Sequence, residues 1–183
     1  MIRPAEPDRD AAACAAIYAR YVLDSPATFD ERPPTAADFA ERIERLSASH
    51  GFLVAERDGA VAGFAYGGPH RPRSAYRWAA DVTVYVDAGH HRAGVGRALY
   101  GELLPLLRER GYRVACAGIT LPNAGSVGLH ESFGFEPIGV FRGIGWKHGA
   151  WLDVGWWQLQ LAPQDERDGD APAEPGVATR LTA

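Results

Sequence analysis

Along the chain the spacing of hydrophobic residues switches repeatedly between the helical and the strand period. Ile2 to Ala5 reads as a short first strand. Asp8 to Leu23 carries Ala12, Ala16, Tyr18 and Val22 at helical spacing, with Asp8 available as N-cap. Thr35 to Ser47 reads as a second helix: Thr35 caps it, Asp38 follows three residues later, and Phe39, Ile43 and Leu46 form its stripe. Two apolar runs, Gly51–Arg57 and Ala60–Tyr66, flank Asp58-Gly59, a strong hairpin signal. Trp78 to Asp87 alternates most clearly, with Val82, Val84 and Val86 on one face and Asp81, Thr83 and Tyr85 on the other.

The second half continues the interleaving. Gly94 to Arg110 is an amphipathic helix closed by Gly111. Tyr112–Thr120 is a strand and Asn123–Phe133 a helix. Phe135–Trp146 and Trp151–Leu161 form a last strand pair around Lys147-His148-Gly149-Ala150. The expected fold is an α/β (α+β) sandwich with a mixed, mostly antiparallel sheet.

Composition sharpens this reading. At 183 residues, 46% hydrophobic, the chain suits one domain, expected over residues 1–161. Residues 162–183 are rich in Ala, Pro, Asp and Glu and are expected to form a mobile tail. A net charge of -4 argues against a duplex nucleic-acid partner. Cys14 and Cys116 lie far apart and match no metal spacing, so two buried, reduced thiols and no metal are expected. Neither an apolar leader core nor a run approaching ~18 apolar residues occurs, so a cytoplasmic protein without a membrane span is expected.

The most specific chemical signal is the junction from Val84 to Tyr100. The strand end Val84-Tyr85-Val86 leads into a basic, glycine-rich loop, and a helix begins at Arg92-Ala93-Gly94-Val95-Gly96-Arg97. Such a loop leaves backbone N–H groups facing an anion, and the helix dipole adds favourable potential. Gly94 and Gly96 let the backbone approach phosphate oxygens, while Arg92 and Arg97 supply charge. The third glycine of a dinucleotide fingerprint and the Gly-Lys-Ser/Thr of a P-loop are both absent.

His91-Arg92-Ala93-Gly94-Val95-Gly96 resembles the acyl-CoA loop of the GNAT acetyltransferase superfamily, Gln/Arg-x-x-Gly-x-Gly/Ala, with His91 as the one departure. Further segments resemble its phosphinothricin and methionine sulfoximine N-acetyltransferase branch: Gly67–Tyr76, Leu121–Phe135 and Trp146–Leu159. The resemblance covers Ile2 to about Leu161. It implies the GNAT fold, a sheet of six or seven strands flanked by helices, acetyl-CoA as co-substrate, a small-molecule amine as acceptor, and a homodimer. Cofactor contacts are then expected from Val84, Tyr85, Val86, the Arg92–Arg97 loop, Asn123, Ser126 and His130.

Aminolysis of a thioester requires that the acceptor ammonium lose a proton. Asp81 is the first candidate base, because a carboxylate in an apolar strand is costly without a task or a partner. The resemblance implies Glu at this position, and Asp is shorter. The structural alternative pairs Asp81 with Arg73 or Arg77. His148 is the second candidate, against a plain turn histidine stacked on Trp146 or Trp151. His130 stands where many superfamily members carry a thiolate-protonating tyrosine, against a packing role. Asn123 and Ser126 also suit N-capping. Phe29, Arg71, Arg73, Tyr76 and Tyr85 are the candidates for substrate binding, since a basic pair with aromatics suits a zwitterionic acceptor. By composition alone the Arg71–Arg73 run reads as a solvated loop. Two other functions stay open: acetylation of a peptide amine, and a silent acyl-CoA-binding module.

Overall fold

The computed structural model describes residues 1–162 and 172–176. Its elements run β1 (Ile2–Pro4), α1 (Pro7–Asp24), α2 (Ala36–Ser49), β2 (Phe52–Arg57), β3 (Ala60–Pro69), β4 (Ala79–Val86), α3 (Val95–Glu109), β5 (Val114–Leu121), α4 (Ala124–Glu131), β6 (Glu136–Lys147) and β7 (Ala150–Gln160). The strands form one 7-stranded sheet in the order β1-β2-β3-β4-β5-β7-β6. Only β4 and β5 run parallel, joined by the α3 crossover; the other neighbours are antiparallel.

Strand alternation sends side chains to two cores. Leu53, Ala55, Ala80 and Val82 face α3, where Leu99, Leu103 and Leu107 are buried. Phe52, Val54 and Phe64 face α1 and α2, against Ile17, Phe39 and Ile43. The Thr35 capping box forms: its hydroxyl accepts from Asp38 N–H, and the Asp38 carboxylate accepts from Thr35 N–H at 2.7 Å. Such a cap contributes about 1 kcal/mol.

The start of α1 differs from expectation. Glu6 is the N-cap and Pro7 opens the helix, so Asp8 does not cap it. Asp10 does the work instead. Its carboxylate accepts from Glu6 N–H at 2.8 Å and from both Arg3 Nη atoms at 2.7 Å. Burial pushes that carboxyl up, but the Arg3 and Glu6 bonds outweigh it and leave it below the usual range. Elsewhere the predicted boundaries shift by a few residues: α4 is shorter than Asn123–Phe133, and β3 extends to Pro69.

The expected tail lies mostly outside the described residues. Residues 172–176 run against the domain: Trp78 Nε1 donates to Ala173 O at 3.0 Å, Arg77 pairs with Glu174, and Gly176 N–H donates to Arg110 O. Among the described residues no helix is long and apolar enough to cross a membrane.

Candidate active site

The site begins where two parallel strands part. β4 and β5 pair only at Ala79–Val114, Ala80–Ala115 and Asp81–Cys116. Beyond Asp81 they diverge, and the facing edges of Val82–Val86 and Ala117–Leu121 do not pair with each other. A cleft of about 620 Å³ fills the gap, lined by both edges and by the starts of α3 and α4.

The wide end of the cleft is an anion site by construction. Gly94 takes a left-handed φ of 77° and caps α3 without a side-chain bond, so the first-turn amides have no intrahelical partner. Arg92 also sits at positive φ, 60°, which turns the loop back on itself. His91 anchors that loop: its Nε2 lies 3.0 Å from the Tyr21 hydroxyl and 3.1 Å from Val86 O, to which Tyr21 also donates at 2.6 Å. The departure from Gln/Arg at this position therefore leaves the loop tied down. Arg97 stacks over Phe133 at 5.5 Å.

Of the expected cofactor contacts, Val84, Tyr85, Val86, Arg92, Gly94, Val95, Gly96, Arg97, Asn123, Ser126 and His130 all line the cleft. Ala93 does not; its N–H donates to His90 O inside the turn. Asn123 caps α4, its side chain accepting from Ser126 N–H. His130 is buried and its ring is fully engaged. Nδ1 donates to Ser126 O at 2.7 Å, which leaves Nε2 to accept from the Tyr100 hydroxyl at 3.0 Å. Burial holds this imidazole below its ordinary range despite the Ser126 bond, so it stays neutral and packs the cleft floor.

The narrow end abuts a corner built from distant segments, whose residues Asp81, His70, Arg71 and Trp156 are not among those that line the cleft. Asp81 shares a strand face with Thr83 and Tyr85, and Thr83 and Tyr85 line the cleft. Its partner is neither Arg73 nor Arg77. Asp81 Oδ1 lies 2.6 Å from His70 Nδ1, a residue to which sequence reasoning gave no role. Arg77 instead stacks on Trp78 and pairs with Glu174, and Arg73 is exposed. Burial raises the Asp81 carboxyl above the usual range, against the pull of His70 and of the Arg71 charge. Cys116, the parallel partner of Asp81, is buried, and its thiol is pushed up to about 11 by burial and by Asp81. Ligand atoms of His70, Asp81 and Cys116 lie within 4.8 Å of one another.

Trp156 roofs this corner. Its ring covers Gly118 on the cleft wall, and His70 and Arg71 pack on it at 5.9 and 5.5 Å. Tyr76 meets His70 edge-on at 5.9 Å. A second group closes over the β6–β7 turn. Phe29 packs on Gly145, where any side chain would collide, and Lys147 Nζ donates to Thr28 O at 2.7 Å. His148, at φ 51°, donates from Nε2 to Ser25 O at 3.3 Å and makes no ring contact with Trp146 or Trp151. Tyr85 reaches this loop from below, stacked edge-on between Tyr18 and Tyr21, each at 4.8 Å. His70, Tyr21 and Trp156 are the residues that sequence reasoning missed.

An open anion-binding helix terminus beside a parted pair of parallel strands defines an acyl-CoA site. Comparison with known proteins agrees. The family model "Acetyltransferase (GNAT) domain" matches residues 2–156. The chain is 42% identical over 181 residues to a phosphinothricin N-acetyltransferase of Streptomyces viridochromogenes, covering 99% of this chain and 94% of that one. It is 36% identical over 153 residues to an L-methionine sulfoximine/L-methionine sulfone acetyltransferase of Salmonella typhimurium, covering 83% and 90%. The structure of YncA from Salmonella typhimurium with its cofactor acetyl-CoA superposes with a TM-score of 0.88 at 34% identity, covering 93% of this chain and 98% of that one. The chain belongs to the GNAT acetyltransferase family and is an acetyl-CoA-dependent N-acetyltransferase.

Proposed function

We propose that residues 1–161 form the catalytic domain and transfer acetyl from acetyl-CoA to the α-amine of a small, zwitterionic amino-acid analogue. Phosphinothricin, methionine sulfoximine and methionine sulfone are the candidate acceptors, taken from the relatives' names. The observation that carries this reading is the corner where the cleft narrows. There the half-buried Asp81 carboxylate bonds to His70, and the Arg71 guanidinium packs on Trp156.

In this reading the unpaired amides of Gly94–Arg97, with Arg92 and Arg97, hold the pyrophosphate. Val84–Val86 offer backbone groups to the pantetheine arm, and Asn123 and Ser126 flank it. The thioester end reaches the apex, near Asp81 and Gly118. Arg71 and Arg73 take the acceptor's carboxylate or oxygenated tail, and Tyr76, Tyr85 and Phe29 bound its apolar part. Proton removal from the acceptor depends on the Asp81 carboxylate, and His148 orients the acceptor from the β6–β7 turn. A peptide acceptor is less well served, because the loop carrying Phe29 closes over that turn.

A cytoplasmic homodimer completes the proposal. β6 is exposed along nearly its whole length and displays Ile138, Val140, Phe141, Ile144 and Trp146. So many large apolar groups on one strand suit burial against a second copy. The test of function is steady-state release of CoA thiol with a panel of amines. Release is expected with the three amino-acid analogues and at most weakly with peptides bearing a free N-terminus. The reverse order of rates would overturn the acceptor assignment.

A further inference from the structure

The Asp81 carboxylate is short for its task and already occupied. The resemblance implies Glu here, one methylene longer, and Asp81 Oδ1 is bound to His70 at 2.6 Å. The β3–β4 register brings this about: Gly68 pairs with Asp81, so the chain leaving Pro69 carries His70 back over the carboxylate. At 2.6 Å from the carboxylate oxygen, Nδ1 is the ring nitrogen that donates. That fixes the tautomer and leaves the Nε2 lone pair free to accept. Among the described residues Nε2 has no hydrogen-bond partner. The ring plane is held edge-on by Tyr76 and Trp156, each at 5.9 Å. The His70 side chain keeps 17% of its surface open.

We propose that His70 is a catalytic residue, accepting the acceptor's proton at Nε2 while Asp81 orients the ring through Nδ1. The imidazole spans the distance that the shorter carboxylate leaves. This rests on the acetyltransferase reading with the amine entering beside Asp81. The acceptor ammonium gives one proton to Nε2. The freed lone pair bonds to the thioester carbonyl carbon, the C–S bond breaks, and its electron pair leaves on sulfur. The nitrogen's second proton ends on that sulfur as thiol. The imidazolium, held by the Asp81 carboxylate, returns its proton to solvent. The other ionisable groups around His70 are Arg71 on its own segment, Tyr76 on the following turn and Cys116 on β5.

The arrangement has the logic of a histidine base steadied by a half-buried carboxylate. Groups acting as one unit are non-additive on removal. The experiment compares His70→Gln, Asp81→Asn and the double variant, with methionine sulfone as acceptor. Thermal melts and acetyl-CoA calorimetry establish folding and cofactor binding. His70→Gln is expected to lower kcat by ~10²-fold or more at neutral pH with unchanged acetyl-CoA affinity. The loss should shrink as alkaline pH supplies free amine. The double variant should be no worse than about threefold below the weaker single. A structural role would lower the rate by one factor at every pH. That result, or a His70→Gln kcat within about threefold of wild type, overturns the proposal. Imidazole added to His70→Ala gives a second readout: restored turnover supports His70 as the proton acceptor, and none counts against it. If wild type transfers acetyl and His70→Gln matches it while Asp81→Asn does not, only this inference fails. If wild type transfers nothing to any amine, the functional reading fails with it.

Discussion

The two ends of the cleft are made in opposite ways. The wide end is one continuous stretch, β4 to α3, and its main instrument is backbone: a left-handed glycine and a turn of unpaired amides. The corner beyond the narrow end is assembled from side chains on three segments far apart in sequence. His70 comes from the end of β3, Asp81 from β4 and Trp156 from β7. A backbone site tolerates substitution as long as the loop keeps its path, as His91 illustrates by tying that loop to Tyr21 and Val86. A side-chain site depends on identity at each position. Cofactor binding and acceptor chemistry should therefore fail separately.

The largest separation is expected from Asp81→Asn. It keeps the shape and removes the charge, so kcat should fall ~10²–10⁴-fold while calorimetry shows unchanged acetyl-CoA affinity. Because burial raises the Asp81 carboxyl, the acid limb of the wild-type rate should lie above the ordinary carboxylate range. The carboxylate on which proton removal depends is lost as pH falls through that raised value. A limb at or below ordinary carboxylate values would mean that Asp81 does not govern proton removal. Gly94→Val should do the converse. At φ 77° a β-branched residue is strained, so the loop that presents the amides has to shift. Acetyl-CoA affinity should weaken by about tenfold or more, with kcat largely kept at saturation. Equal losses in both parameters would erase the distinction between the two ends.

Smaller effects refine the acceptor side. Arg71→Ala should raise KM for a zwitterionic acceptor about tenfold, the scale of one charge-assisted hydrogen bond, and leave acetyl-CoA untouched. His148→Asn should change the acceptor KM by only a few-fold, since its Nε2 already donates to Ser25 O at 3.3 Å. A collapse of kcat in His148→Asn beside an active Asp81→Asn would reverse the two roles.

The same contrast explains what was legible in the sequence. Alternation in Trp78–Asp87 and the stripes of α2 and α3 located the main elements, because local burial dictates local period. The anion loop was legible for the same reason: strand, glycines and helix start are contiguous. Asp81 stood out as a carboxylate in an apolar strand. Its partner did not, because His70 sits in a run, His70-Arg71-Pro72-Arg73, that reads as solvated loop. Only the Gly68–Asp81 register brings the two together. Nor does any residue mark where β4 and β5 part, or that β7 inserts between β5 and β6 and so carries Trp156 over Gly118. The Asp10 clasp was missed because its partner Arg3 lies outside the helix it closes.

The most direct test of the central claim is the identity of the product. Methionine sulfone and acetyl-CoA are incubated with the wild-type chain, and the product is analysed by mass spectrometry and NMR. A single acetyl group on the α-nitrogen is expected, formed in one-to-one ratio with CoA thiol. Thiol released without acetylated methionine sulfone, or acetyl transfer confined to peptide N-termini, would contradict it.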